Sequence, residues 1–208
     1  MILVEEAEKI VMSETKQYGT EQVAIEESTG RTLAENLYAD RDIPPYDRVT
    51  MDGIAINYDA FKNGTRKYDI IGTQAAGDIP IEIENRNQCI EIMTGAALPA
   101  SVDTVVRYED VVIENKIATI KIDDIKKGQC IHLKGADKKQ HDTVVAAPKL
   151  IDPVLISVAA SVGKATLFVK KVPKVLIIST GNELVDIDAF PNPYEIRRSN
   201  NYMLKAAS

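Results

Sequence analysis

The chain has 208 residues, 45% hydrophobic and 27% charged, with a formal net charge of -6 from 25 Lys and Arg against 31 Asp and Glu. Such a length, about one to two domains, can bury a core without disulfide or metal staples, and the acidic balance argues against a nucleic acid or an anionic membrane as the main partner. The longest nearly apolar stretch, residues 154–162, includes two serines and falls far short of the ~20 residues that span a bilayer.

Glu5, Glu6 and Glu8 stand where a signal peptide would carry its basic and apolar regions. The expectation is a soluble, cytoplasmic protein. Cys89 and Cys130 each lie in a strand-like apolar run and read as buried core thiols.

Residues 4–18 repeat apolar positions at Val4, Ala7, Ile10, Val11 and Tyr18 and stop at Gly19, which predicts an amphipathic helix with a glycine end. A short strand is expected at 23–25 and a turn at 28–30. Pro44-Pro45 forces an extended path through residues 41–53, and Asp52-Gly53 is a turn dipeptide directly before the strand-like Ile54-Ala55-Ile56. To about residue 135 the pattern then reads as β throughout, with runs at 68–71, 90–93 and 104–108. A hairpin is expected between 111–113 and 117–122, turning at Glu114-Asn115-Lys116.

The pattern changes after Val144-Val145. Asp152-Pro153 reads as an N-cap with proline in the first turn, opening a helix that Gly163 ends. A strand is predicted at 165–169. The apolar run 174–179 reads as a strand buried on both faces of a parallel sheet, or alternatively as a further strand of the β module. Thr180-Gly181-Asn182-Glu183 turns off its end, and Ser199 caps a helix that starts at Asn200. One strand and part of a helix cannot cover a doubly wound sheet, so this α/β domain reads as cut short.

Four turn-borne polar residues stand beside or near glycine: Asp52 in TMDG, Thr94 in IMTGA, Asp137 in KGADK and Glu183 in TGNEL. Glycine there permits close approach of backbone to a ligand, although Asp-Gly and Thr-Gly are also ordinary turn formers. His132 and His141 show no metal-ligand spacing. No phosphate-binding loop, dinucleotide fingerprint, Cys-x-x-Cys or nucleophile elbow is present.

Taken together, DIPPYDRVTMDGIAI, EIMTGAALPASVDTVV, HLKGADK, VPKVLIISTGNELV and EIRRSNNYML resemble, in order and spacing, the signatures of molybdopterin molybdenumtransferases. These are the MoeA-type enzymes related to the E domain of gephyrin. The resemblance runs along the whole chain, with departures. Arg48-Val49-Thr50 stands where Asn-Ser-Ala is common, Ala136 where many members have Glu, and Asn182 where many have Asp. Family members also continue for about as long again.

The resemblance implies a mainly β protein with α/β elements. Residues 1–39 and 140–173 would form an elongated helix-containing domain, 40–139 an inserted all-β module, and 174–208 the start of a truncated MogA-like α/β domain. It implies insertion of molybdate into adenylylated molybdopterin with Mg²⁺ and release of AMP, by a homodimer supplied by a MogA-type adenylyltransferase. The β module of one subunit would face the α/β domain of the other, and the chain alone would be inactive. Both substrates are anions, and a bare carboxylate 4 Å from a phosphate is repelled by ~4 kcal/mol at an effective dielectric of 20. Acidic residues there make sense as cation ligands, as acceptors for pterin N–H groups or as bases. Asp52 and Asp137 are assigned to substrate orientation or water activation, and Thr94 to a hydroxyl contact. Thr180, Gly181, Ser199 and Asn200 are assigned to pterin-nucleotide binding, and Glu183 to the cation. A scaffold or dimerisation module, or a metal-dependent phosphoester hydrolase, remains the alternative.

Overall fold

A computed structural model of the chain describes residues 2–207. They divide into two compact units, residues 23–167 in one and those up to 22 together with those from 168 onward in the other. The chain is mostly β with a few short helices. Among the described residues no helix is long and apolar enough to cross a membrane.

The elements that position the candidate residues are, in chain order, α1 (Val4–Ser13), β1 (Arg48–Val49), β2 (Gly53–Ile56), α2 (Tyr58–Lys62), β3 (Lys67–Gln74), β4 (Gln88–Ile92), β5 (Thr104–Arg107), β6 (Val111–Glu114), β7 (Ile117–Ile120), β8 (Ile131–His132), α3 (Pro153–Ser161), β9 (Leu184–Val185), β10 (Ile196–Arg197) and α4 (Asn200–Ala207).

The larger unit is built on a six-stranded sheet in the order β5-β2-β4-β3-β7-β6. Its ladders are antiparallel except β3·β4, which is parallel and needs the long connection over residues 75–87. β2 is buried at all four positions, and strand alternation sends its side chains to opposite faces. Ile54 and Ile56 enter a core with Phe61, Tyr68, Cys89, Val106 and Ile120. Ala55 enters a second core with Val49, Ile92, Ala96, Val102 and Val105. Asp52 is thus the last residue before a strand clamped from both sides.

The hairpin falls where the sequence places it. Glu114 pairs with Ile117, and Asn115 and Lys116 turn the chain at φ 49° and 62°, as a two-residue turn with both central residues left-handed requires. The module is not purely β, however. Helix α2 forms because the Asn57 side chain accepts from the Ala60 amide, a cap that a single turn needs. Its five residues are too few to show a helical period.

Helix α3 matches its prediction. Asp152 Oδ1 accepts from the Leu155 amide at 2.7 Å and Pro153 lies in the first turn. The strand expected at 165–169 is found at Thr166–Lys170. Cys89 is buried as expected, but Cys130 is half-buried at φ 59° in a turn before β8. Its apolar neighbours suggested a strand, whereas the turn is needed to swing the chain into β8.

In the smaller unit α1 stops at Ser13 rather than running to 18. The Ser13 and Thr15 hydroxyls donate to the carbonyls of Ile10 and Met12, a local bonding pattern that competes with further helix. The apolar run 174–179 is assigned no strand, and Val175, Leu176 and Ile178 are exposed. A buried strand requires partners for its backbone groups on both edges, and no strand among the described residues pairs with this run. The ladder formed instead is the short parallel pair β9·β10. α4 begins at Asn200, with the Ser199 carbonyl accepting from the amides of Tyr202 and Met203.

Gly53 generates a direct test. A Cβ built there would lie 1.9 Å from the Val106 carbonyl oxygen and 2.9 Å from Arg107 Cα, so β2 and β5 cannot keep their spacing with any larger residue. Gly53→Ala should cost about 3 kcal/mol or more in urea unfolding. A cost within about 0.5 kcal/mol, as for a neutral surface change, would contradict this packing.

Candidate active site

The segment from Ile43 to Asp52 carries the site. It has an extended path, and two loops take up its backbone groups. The loop after β4 supplies one side: Gly95 N–H donates to Val49 O at 2.8 Å, Val49 N–H to Ala96 O at 3.0 Å and Leu98 N–H to Asp47 O at 2.8 Å. The loop after β8 supplies the other. Gly135 N–H donates to Pro44 O and Asp137 N–H to Ile43 O, both at 2.9 Å, while Ile43 N–H donates to Lys138 O at 2.8 Å. β1 pairs with β8, Arg48 opposite His132. Thr50 N–H donates to Cys130 O at 3.0 Å. The prolines remove two donors, yet the Pro44 carbonyl still serves as an acceptor.

Asp52 and Thr94, forty-two residues apart, meet at the end of this segment. Asp52 Oδ1 accepts from both the Thr94 amide and the Thr94 hydroxyl, each at 2.7 Å. These bonds favour the ionised form, so the backbone bond first and the hydroxyl second hold the Asp52 carboxyl below its ordinary range. The Tyr108 amide donates to Asp52 O at 3.3 Å. The Tyr108 hydroxyl donates to Glu91 Oε1 at 3.4 Å, and Thr73 Oγ1 donates to Glu91 Oε2 at 3.1 Å. Burial first, and the Glu91 carboxylate next, push the Tyr108 phenol up to about 12, which keeps it a neutral hydrogen-bond donor.

The Thr94 loop is itself anchored from beneath by Gln74, which is fully buried. Its Nε2 donates to Ala97 O at 2.6 Å and its Oε1 accepts from the Ile81 amide at 2.9 Å. Gln74 O accepts from the Met93 amide at 3.0 Å. A buried amide with both ends satisfied is a rigid anchor rather than a liability.

Asp137 makes its side-chain contact elsewhere. Its Oδ1 lies 3.0 Å from His132 Nε2, and His132 Nδ1 lies 3.5 Å from Arg48 Nη2. The structure therefore joins Asp52 directly to Thr94 and ties Asp137 to the same extended segment through β1 and β8. Sequence reasoning passed over His132, Gln74 and Tyr108. A histidine without metal spacing looked unremarkable, and only the fold reveals its partner five residues onward.

In the smaller unit, Thr180, Ser199 and Asn200 border one cavity of about 310 Å³, with Arg197, Arg198 and the start of α4. Gly181 lies beside it at φ 146°, and a Cβ there would meet Glu183 Oε1 at 2.5 Å. Glycine is what lets the Glu183 carboxylate lie over this backbone. Arg198 is paired with Asp186, and Arg197 Nε donates to Ala189 O at 3.1 Å. Among the described residues no group of three or more His, Cys, Asp or Glu side chains is placed to hold a metal ion. Glu183 offers one exposed carboxylate, and Mg²⁺ is commonly held by one or two carboxylates together with substrate phosphates and water.

Residues 2–163 match the family model described as the MoeA N-terminal region (domain I and II). Over 208 residues the chain is 36% identical to a molybdopterin molybdenumtransferase of Synechocystis sp., covering all of this chain and 53% of that protein. It is 32% identical over 209 residues to one from Staphylococcus aureus, covering 99% of this chain and 50% of that protein. Among solved structures it is similar to two of a molybdopterin biosynthesis MoeA protein from Pyrococcus horikoshii. One is 31% identical with a TM-score of 0.82 and the other 28% identical with a TM-score of 0.88; all of this chain is covered, against 54% and 56% of theirs. The chain spans about half the length of the curated relatives it matches. The two loops fastened to one extended segment, with Asp52, Thr94 and Asp137 upon them, are thus carried by a chain that belongs to the MoeA N-terminal region family.

Proposed function

We propose that this chain supplies part of the site at which molybdate is inserted into adenylylated molybdopterin, with release of AMP, in molybdenum cofactor biosynthesis in the cytoplasm. The observation that carries the reading is the Asp52–Thr94 pair, an exposed carboxylate kept ionised by two 2.7 Å hydrogen bonds at the edge of a rigid sheet. Its relatives' printed name, molybdopterin molybdenumtransferase, supports the substrate class.

In this reading Asp52 and Asp137 orient the substrate or hold a water, accepting from pterin N–H groups or from that water. The Thr94 hydroxyl is already donated to Asp52, which leaves its lone pairs to accept from a substrate group. Around the cavity of the smaller unit, Thr180, Gly181, Ser199 and Asn200 bind the pterin nucleotide, the last two through backbone donors at the start of α4. Glu183 holds Mg²⁺. When bound, the cation neutralises phosphate charge that would otherwise repel the neighbouring carboxylates.

The domain partition implied by the resemblance belongs to this reading: residues 1–39 with 140–173, an inserted module at 40–139, and a MogA-like domain starting at 174. So do the homodimer and a MogA-type adenylyltransferase as the source of substrate. Residues 1–208 alone would not turn over, since the chain spans about half of its relatives.

Two measurements follow. In the whole protein, Asp52→Asn should lower molybdate insertion by about 10²-fold or more, as for loss of a general base, while the thermal midpoint stays near the wild type. A lowered midpoint with full activity per folded molecule would make Asp52 a turn former only.

The second concerns acidity. Thr94→Val removes the hydroxyl donor and keeps the amide, so Asp52 should titrate at higher pH than in the wild type, as read by carboxyl carbon chemical shift. Because the folded value is depressed, the stabilisation from this carboxylate is complete above the ordinary carboxylate range and is lost as pH falls through the folded value. Thr94→Val should narrow that acid window. An unchanged Asp52 titration would contradict the assigned hydrogen bond.

A further inference from the structure

We propose that Arg48, His132 and Asp137 form a positioning relay. Arg48 holds neutral His132 in the tautomer that carries its proton on Nε2, and His132 in turn fixes the Asp137 carboxylate. The proposal rests on the reading above for why Asp137 must be fixed, but the relay itself is a statement about geometry.

The backbone part is settled first. The loop after β8 is pinned to residues 43–47 by the bonds from Gly135, Asp137 and Ile43 already described and by Lys134 N–H to Asp47 Oδ1 at 2.7 Å. Within it, Ala136 N–H donates to Leu133 O at 3.1 Å, closing a turn that includes Gly135 at φ 67°. The Cα of Asp137 is therefore fixed, while its side chain is 52% exposed. Carboxylate torsions are broad, so an unsupported Asp at this position would point in many directions.

His132 removes that freedom. Its Nε2 lies 3.0 Å from Asp137 Oδ1, a contact that needs a proton on Nε2 because an ionised carboxylate only accepts. On the other side of the ring, Arg48 Nη2 is 3.5 Å from Nδ1. A guanidinium only donates, so Nδ1 must present its lone pair. The two contacts specify the same neutral tautomer. Arg48 and His132 are direct partners across the β1·β8 ladder, and cross-strand partners hold their side chains side by side. Other charged groups on the elements that carry the trio include Asp47 at the foot of β1 and Lys134, Lys138 and Lys139 on the loop. Asp47 is occupied by the Lys134 amide, and Lys139 Nζ lies 3.4 Å from Lys134 O.

Partly exposed ionic contacts contribute little to stability, so the trio's value lies in orientation rather than in folding. His132 is accordingly a positioning residue that acts through Asp137. Arg48 acquires a role as the group that selects the tautomer.

The test begins with the 208-residue chain itself. Long-range ¹H–¹⁵N spectra at about pH 8, where an ordinary histidine is neutral, should show His132 predominantly as the Nε2–H tautomer. Arg48→Met and Asp137→Asn should each lower the Nε2–H fraction, and Asp137→Asn should also speed exchange of the Nε2 proton. A predominant Nδ1–H form, or spectra identical in all three proteins, overturns the relay. In the whole protein, His132→Ala should lower kcat by about tenfold with KM little changed, and His132→Gln, whose amide can still donate to Asp137, should recover most of it. Asp52→Asn serves as the control. If Asp52→Asn is inactive while His132→Ala is fully active, the relay is wrong and the functional reading stands. If Asp52→Asn is fully active, the functional reading fails, and the tautomer spectra alone decide the relay.

Discussion

The structure of the larger unit depends on the saturation of one extended segment. Between Ile43 and Asp52 the chain has no helix and only the two-residue strand β1, so its backbone polar groups must be satisfied from outside. The loops that follow β4 and β8 do this from two sides, through the amides and carbonyls of Gly95, Ala96, Leu98, Gly135, Asp137 and Lys138, with the Cys130 carbonyl from the turn before β8. These loops come from distant parts of the sequence. Each is ordered by the same ten-residue segment, and each carries a candidate site residue.

Burial makes that arrangement rigid. β2, which continues directly from the segment, has both faces in apolar cores, and Gly53 allows β5 to approach it more closely than any side chain would permit. Gln74 closes the underside of the Thr94 loop with a buried amide that is hydrogen-bonded at both ends. Polar side chains can then stand at the surface with little freedom. Asp52 is exposed yet fixed by two bonds from one residue. Asp137 is exposed yet fixed by a histidine. In the function proposed above this order matters, because a carboxylate that cannot turn toward a phosphate can still accept from a donor placed for it.

Much of this was legible in the sequence. The Asn115-Lys116 turn, the Asp152-Pro153 start of α3, the β2 strand after Asp-Gly and the helix beginning at Asn200 all follow from local chemistry, and local chemistry is what a sequence displays. The failures share a different cause. The run 174–179 has strand composition, but a strand needs partners, and composition says nothing of them. α2 was invisible because one capped turn has no period. Thr94 was expected to share a site with Asp52 and Asp137, but its two hydrogen bonds to Asp52 were not foreseen. His132 and Gln74 were missed because their significance lies wholly in what the fold places against them. Motif resemblance named the exposed residues of the site; it did not find the residues that hold them still.

The central claim is that the two loops and the extended segment open as one cooperative unit. Native-state hydrogen exchange of the amides of Val49, Gly95, Leu98, Gly135 and Asp137, followed across rising denaturant, measures it most directly. The account predicts that all five share one opening free energy and one denaturant dependence, close to those of the β2 amides. Exchange of Gly135 and Asp137 at a far lower opening energy than Gly95 and Leu98 would contradict it, since the two halves of the candidate site would then be ordered independently.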